Sequence, residues 1–508
     1  MSCEDDDGVS GGDCPPHFLI VPFMEQGHMI PMLDLARLLA SRGVLVTFVS
    51  TPVNLARIRP IAERATAAAL PIRFIELSFP SVAAGLPDGC ENLDQISSPD
   101  LFLPFVNALP LLQEPLLAHL RSSESAGWPM PTGIVSDNIL PWAADLARSL
   151  DIPRIIFHGP SCFYLLCYNL IQQNKADLEA AIEAASGGPI TIPGLPQPIW
   201  ISKHQVVNTR YTGPGWSKFR ESVLEAGESA DGVVLNSFAE LEPWYLKTYR
   251  EAINKPVWPI GPLSLYKEDS VVKAARGQAS SVDNLQLFQW LDKQEAGSVV
   301  FVSFGSIAMN TAAQMMELGH GLEASGRPFV WVVKEVAEGR EAPVLEEWLA
   351  GLDKRLDGRG VLIRGWAPQA MILEHAAIGG FLTHCGWNST LESVAAGVVM
   401  ATWPHFADQF LNERLVVDVL GIGVAVGVKE PTIIGVEETV VKVNRGEVER
   451  AVERLMGEGE EAEERRGRAR ELGEKARCAM EEGGSSWVGL QEVINYMSHQ
   501  SMEKKKKN

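Results

Sequence analysis

Residues 366–409 read WAPQAMILEHAAIGGFLTHCGWNSTLESVAAGVVMATWPHFADQ and hold a dense set of groups suited to a charged ligand. GGFLTHCG is an apolar run ending in His384, Cys385 and Gly386. NSTLESVAAG follows with helical character, Asn388 or Ser389 serving as N-cap and Gly397 as stop. A turn from strand into helix aims unpaired backbone N–H groups and a positive helix end at one point, which makes an anion site suited to phosphate. His384, at its edge, can add a donor. Glu392 lies one turn inside the helix, where its two oxygens can accept both hydroxyls of a ribose. Trp366 offers a stacking plate for a base, worth roughly 1–3 kcal/mol. Asp408 and Gln409 follow a further strand and its turn, and both can bind sugar hydroxyls. Anion cradle, diol acceptor, stacking plate and polar pair together suggest a nucleotide sugar.

Such groups need strand ends to present them. Strands are expected at 17–23, 44–51, 72–77, 133–137 and 154–158. Helices are expected at 30–42, with Pro31 in the first turn and Gly43 at the stop, and at 53–69 and 142–150. The rhythm breaks near 266–283, where KEDSVVKAARGQASSVD carries charge, Ser and Gly. It resumes with strands at 298–303, 329–333, 360–364, 378–383 and 399–402 and a helix at 311–325. The charged run 447–482 reads as a solvated helical face, and 485–497 as a last helix. Alternating strands and helices imply parallel sheets covered on both faces. The division expected is a disordered tail 1–16, an N-terminal domain 17–265, a linker 266–285, a C-terminal domain 286–482, a C-terminal helix 483–500 and a basic tail 501–508. Two doubly wound α/β domains facing each other place a ligand in the cleft beyond their strand ends.

Composition narrows the classes. The chain has 508 residues, 44 basic against 64 acidic, for a net charge of -20. That balance argues against nucleic acid and against a polybasic membrane anchor; Lys504 to Lys507 are a local exception, read as a solvated end. Seven scattered cysteines without a C-x-x-C fit reduced thiols in a cytosolic protein better than a disulfide framework or a zinc site. The start MSCEDDDGVSGGD is not a signal peptide, and no window reaches about 18 uncharged apolar residues.

Rival ligands lack their motifs. A dinucleotide oxidoreductase needs G-x-G-x-x-G in the first strand-to-helix turn, which here reads MEQGHMIP with one glycine. The P-loop pattern is absent. An Asp-x-Asp metal pair occurs only as Asp5 and Asp7, in the expected tail, so no metal site is assigned.

The segment 366–409 resembles, nearly position for position, the 44-residue signature of plant UDP-sugar-dependent small-molecule glycosyltransferases. PFMEQGHMIPMLDLARLL, GLPDGCEN, IVSDNILPWAADLA and FHGPSCF extend the likeness to the branch of scopoletin, flavonoid and terpenoid or steroid glucosyltransferases. The resemblance implies the GT-B fold, with the acceptor mainly on the N-terminal domain, the donor on the C-terminal one, and a final helix crossing back. It also implies donor-site roles: Trp366 on uracil, Ala367 and Gln369 at the base and ribose, Glu392 on the ribose diol. His384, Asn388, Ser389 and Ser306 would hold the diphosphate, and Trp387, Asp408 and Gln409 the sugar. A final Gln at 409 goes with glucose more often than galactose.

His28 lies in the turn after the first strand and Asp137 ends another strand at the same sheet edge. The resemblance makes them the catalytic dyad. A neutral imidazole with a pKa of about 6.5 takes the acceptor's proton and Asp137 steadies the ring. Inversion at the anomeric carbon follows, with no metal or other cofactor. Glu25 stands where this branch usually has a small residue, and is expected to raise the imidazole pKa or contact the acceptor. His158 is a candidate for the acceptor pocket. His375 and His405 are read as structural, the latter standing where an apolar residue is usual, and Cys385 as packing. The reading is a monomeric cytoplasmic UDP-glucose-dependent glucosyltransferase acting on an apolar hydroxylated metabolite. Its rivals are the same fold with another UDP-sugar (galactose, glucuronic acid, xylose or rhamnose) and a non-catalytic nucleotide-sugar binder. Acceptor loops are expected around 80–100, 138–145 and 185–215.

Overall fold

The computed structural model describes residues 15–96, 98–206, 213–266, 284–306, 310–333, 341–432 and 441–507. The expected tail up to residue 14, nearly all of the linker and residues 433–440 lie outside the described residues.

The strands before the linker are β1 (His17–Val21), β2 (Leu45–Ser50), β3 (Ile72–Glu76), β4 (Gly133–Asp137), β5 (Arg154–His158), β6 (Ile190–Thr191), β7 (Trp200–Ile201), β8 (Gly232–Leu235) and β9 (Val257–Pro259). Seven of them form a sheet of order β3-β2-β1-β4-β5-β8-β9, parallel throughout, while β6 and β7 pair as a small antiparallel ribbon. After the linker come β10 (Val299–Ser303), β11 (Phe329–Val333), β12 (Gly360–Arg364), β13 (Ile378–Thr383), β14 (Val399–Thr402) and β15 (Gly423–Ala425). They form a second parallel sheet of order β12-β11-β10-β13-β14-β15. The runs HFLIV of β1 and VVFVS of β10 are buried at every position, because helices cover both faces of a parallel sheet. Emptying one such site, as in Phe18→Ala, costs about 3–5 kcal/mol.

Each sheet reverses its winding once: between β1 and β4 in the first, between β10 and β13 in the second. The crevice outside the strand ends at such a switch point is where doubly wound folds bind ligands. His28 follows β1 and Asp137 ends β4; Ser306 follows β10 and His384 follows β13.

Several boundaries differ from expectation. The first helix is Gln26–Ser41 and starts four residues before 30, because Glu25 caps it, accepting from the His28 N–H. Pro31 therefore sits in the second turn rather than the first, where it has no N–H to give to the Gly27 carbonyl one turn back. The helix after β13 is Trp387–Ala396; its N-cap is Gly386, without a side-chain cap, so Asn388 and Ser389 lie inside the first turn instead of capping it. Gly397 ends it at φ 72, the left-handed stop expected. The charged run divides into helices Arg445–Met456 and Glu460–Met480. Its charges face outward except Arg465, which is buried against the Arg454 carbonyl and Glu461. Each helix also buries an apolar stripe: Val448, Ala451, Val452 and Leu455 on one, Ala462, Ala469 and Ala476 on the other. The last helix runs Ser485–Lys507, through most of the expected basic tail. Leu490, Val493, Ile494 and Met497 recur at helical spacing and join the N-terminal core. Ser486 donates to the Gly261 carbonyl and the Tyr496 hydroxyl to that of Asp231, at 3.1 Å. One helical stretch, Pro99–Ser125, reaches the length and hydropathy of a membrane span, despite its charges. It is broken by a 3-10 segment at Leu109–Leu112 and sends Phe105, Leu112 and Leu116 into the core.

Candidate active site

The N-terminal cluster is small. His28 Nδ1 lies 2.7 Å from Asp137 Oδ2. An ionised carboxylate only accepts, so Nδ1 carries the proton and Nε2 is the nitrogen left for chemistry. Asp137 is fully buried, and its other oxygen accepts from the Ile139 N–H at 3.2 Å. The His28 side chain keeps 29% of its surface exposed, and its ring meets Phe23 edge-on at 5.3 Å. Burial would lower the imidazole pKa, but the charge and hydrogen bond of Asp137, helped by Glu25 and Asp408, raise it to about 9. The expected pKa of 6.5 is therefore corrected upward. His158, at the end of β5, is the opposite case; burial lowers it to about 4 against the pull of Asp137. Its Nδ1 has no hydrogen-bond partner among the described residues.

The C-terminal cluster is organised around open backbone. Cys385 adopts φ 63, a left-handed conformation rare for a non-glycine residue, and Gly386 follows as the uncapped helix start. The first N–H groups of Trp387–Ala396 thus lack both intrahelical and side-chain acceptors. The His384 ring is packed between two glycines. A Cβ on Gly386 would lie 2.3 Å from its Nε2, and one on Gly305, itself at φ 71, 2.7 Å from its Cε1. No side chain but hydrogen fits at either place. Gln369, first residue of the helix Gln369–Leu373, donates to Ser389 Oγ at 2.9 Å and Glu392 Oε2 at 2.8 Å, which fixes the Glu392 carboxylate. Trp366 and Glu392 are half-buried and Ala367 is buried.

The two centres are stitched together. Asn388 Nδ2 donates to the Gly27 carbonyl at 2.6 Å, taking the acceptor that Pro31 cannot serve. The Trp387 indole donates to the Asn236 carbonyl at 2.7 Å, so its polar edge faces the N-terminal domain. Ser306 Oγ donates to Glu25 Oε1 at 3.4 Å. Asp408 is raised to about 6 by burial, against the hydrogen bond from Asn412 Nδ2 at 2.7 Å and the charge of His28. Gln409 Oε1 accepts from the His405 and Phe406 N–H groups at 2.8 and 3.1 Å, which directs its amide N–H₂ elsewhere. The structure thus gathers His28 and Asp137 on one wall and Ser306, His384, Trp387, Asn388, Ser389, Asp408 and Gln409 on the other. Trp366, Ala367, Gln369 and Glu392 extend the second wall.

Sequence reasoning missed Asn412 and Ser161. Asn412 is fully buried, donates to the Cys385 carbonyl at 2.9 Å and to Asp408, and accepts from Ser161 Oγ at 3.1 Å. The i,i+4 spacing from Asp408 was a usable signal for it. His405 is buried, bonded through Nδ1 to the Trp403 carbonyl and through Nε2 to Asn310, and burial lowers it to about 3. His375 contacts Asp292 at 3.2 Å. Both rings are thus engaged with protein partners. Cys385 is fully buried with its thiol pushed well above its ordinary pKa, which suits packing and not attack.

Known proteins resemble the chain over most of its length. A family model described as UDP-glucoronosyl and UDP-glucosyl transferase matches residues 276–455, and one described as glycosyltransferase, N-terminal domain matches 17–182. UDP-glycosyltransferase 73C6 of Arabidopsis thaliana is 45% identical over 93% of this chain and 94% of its own. UDP-glycosyltransferase 73E1 of Stevia rebaudiana is 43% identical over 94% and 95%. Among solved structures, UGT73P12 of Glycyrrhiza uralensis, complexed with glycyrrhetinic acid 3-O-monoglucuronide, aligns at TM-score 0.85 and 34% identity over 97% of this chain and 98% of that one. UGT89C1 of Arabidopsis thaliana, complexed with UDP-L-rhamnose, aligns at 0.72 and 30% over 95% and 99%. With these neighbours the expected two-domain GT-B architecture holds. The chain belongs to the plant UDP-glycosyltransferases that glycosylate small molecules.

Proposed function

We propose that the protein transfers glucose from UDP-glucose to a hydroxyl of an apolar plant metabolite and inverts the anomeric centre. The observation that carries this is the His28–Asp137 pair standing across the cleft from the uncapped helix start at Gly386, joined to it by Asn388 on Gly27. In its neutral form, with the Nδ1 proton directed at Asp137, His28 takes the proton of the acceptor hydroxyl at Nε2. The oxygen pair forms the bond to the anomeric carbon, and the bond from that carbon to the diphosphate breaks. The electron pair leaves on UDP, and the proton stays on the imidazole until solvent removes it. A placed base contributes about 10²–10⁴-fold to such a step. The diphosphate charge is met by the first N–H groups of Trp387–Ala396 and by His384, so the reading requires no metal.

Gln409 supports glucose: its oxygen is spent on the 405–406 turn, which leaves its N–H₂ to donate to a sugar hydroxyl. Neighbouring structures are described with UDP-L-rhamnose and with UDP-2fluoro-glucose, so donor choice varies in this fold. Phe23 meets the His28 ring edge-on and Phe105 packs against Phe23, and this apolar surround of the base supports an apolar acceptor. We read the protein as a monomer working in the cytoplasm. Competition among UDP-sugars, followed by product formation on a panel of phenols and sterols, tests the proposal. UDP-glucose should be the preferred donor; a different preferred sugar would overturn the reading of Gln409.

A further inference from the structure

Glu25 is a buried carboxylate, 4% exposed, in the turn that carries His28. Its conformation is set by two hydrogen bonds and by the room that Gly27 leaves. Oε2 accepts from the His28 N–H at 3.1 Å, at the positive start of the first helix. Oε1 accepts from Ser306 Oγ at 3.4 Å, across the cleft. Residue 27 is glycine, and a Cβ there would come within 2.9 Å of Oε2, so a larger residue would press the carboxylate out of this pose. In this pose Oε2 is 3.9 Å from His28 Nε2, the nitrogen not occupied by Asp137. That distance is beyond hydrogen-bond reach, so the carboxylate does not hold the ring nitrogen that must meet the acceptor. It is well within range to favour a positive charge there.

We propose that Glu25 is a positioning residue of the transfer reaction: anchored on the first helical turn and on Ser306, its carboxylate stabilises the imidazolium of His28 from the Nε2 side while Asp137 does so from the Nδ1 side. This rests on His28 being the base. Every charged group that faces the ring takes part. Asp137 comes from the end of β4, Glu25 from the turn itself and Asp408 from the C-terminal domain, while His158, beside Asp137, is held neutral by burial. Glu25 also ties the base to the loop after β10, so a ligand that recruits the Ser306 hydroxyl acts on the same carboxylate.

The test separates the two claims. The His28 ring proton is titrated by NMR in the ligand-free protein, its resonance identified by loss in His28→Ala, and kcat/KM is followed against pH. Glu25→Gln keeps the size and the capping oxygen but removes the charge. It should lower the imidazole midpoint by roughly one pH unit, and Glu25→Asp should restore part of it. The acid limb of kcat/KM should move down with the midpoint. An unmoved midpoint in Glu25→Gln overturns the proposal, whatever happens to the rate. A moved midpoint with an unmoved rate profile upholds the hold of Glu25 on the ring and overturns His28 as the base.

Discussion

The two switch points of this molecule have the same topology and opposite chemistry. Between β1 and β4 the chain places side chains whose acidity has been altered: His28 raised to about 9, against a buried Asp137 and a nearby Glu25. Between β10 and β13 the turn itself leaves backbone open beside its polar side chains. Gly305 and Gly386 leave room for one imidazole, Cys385 takes a left-handed backbone, and the helix start is left without a cap. Moving a proton needs a titratable group in a tuned setting. Holding a diphosphate needs N–H groups that nothing else has used. A net charge of -20 does not oppose the proposed anion site, because N–H dipoles at a helix start act locally.

The contrast can be broken at either side. Asp137→Asn should lower kcat by roughly 10²–10⁴-fold, since it loses the partner that orients and charges His28, with UDP affinity little changed. A matched loss of UDP binding, measured by calorimetry, would show that the two centres are not separate. Glu392→Ala should do the reverse: a rise of about tenfold or more in the UDP dissociation constant, the scale of a hydrogen bond to a charged group, with a smaller change in kcat at saturating donor. Asn388→Ala tests the stitch between them. Losing its bond to Gly27 should cost about 1 kcal/mol, a several-fold effect visible in both UDP affinity and kcat. The smallest effect is on stability. His28 is raised above its unfolded value of about 6.5, so its contribution is full below pH 6.5 and fades as pH rises through about 9. Wild type should therefore lose more of its melting temperature between pH 6 and pH 9.5 than His28→Ala does; equal losses would contradict the raised pKa.

Much of the scaffold was legible from residue order. Apolar runs bounded by turn residues placed β4, β5, β11, β12, β13 and β14 at their observed limits. Pro31 misplaced the first helix, because a proline usually marks a first turn. Here its missing N–H leaves an acceptor that Asn388, 361 residues away along the chain, comes to fill, and no local pattern announces that. The same holds for Trp387 on Asn236 and Ser161 on Asn412: bonds across the cleft depend on how the domains face each other. For His28 the direction was legible, since Asp137 and Glu25 were both in view and Glu25 was expected to raise the pKa; the added pull of Asp408, from the other domain, was not.

The central claim is that proton transfer belongs to the first switch point and donor binding to the second. His28→Ala tests it most directly, with UDP binding measured by calorimetry and glucoside formation measured on the same preparation. The account predicts binding within about twofold of wild type and turnover reduced by roughly 10²–10⁴-fold. Unchanged turnover, or turnover and binding lost together, would contradict it.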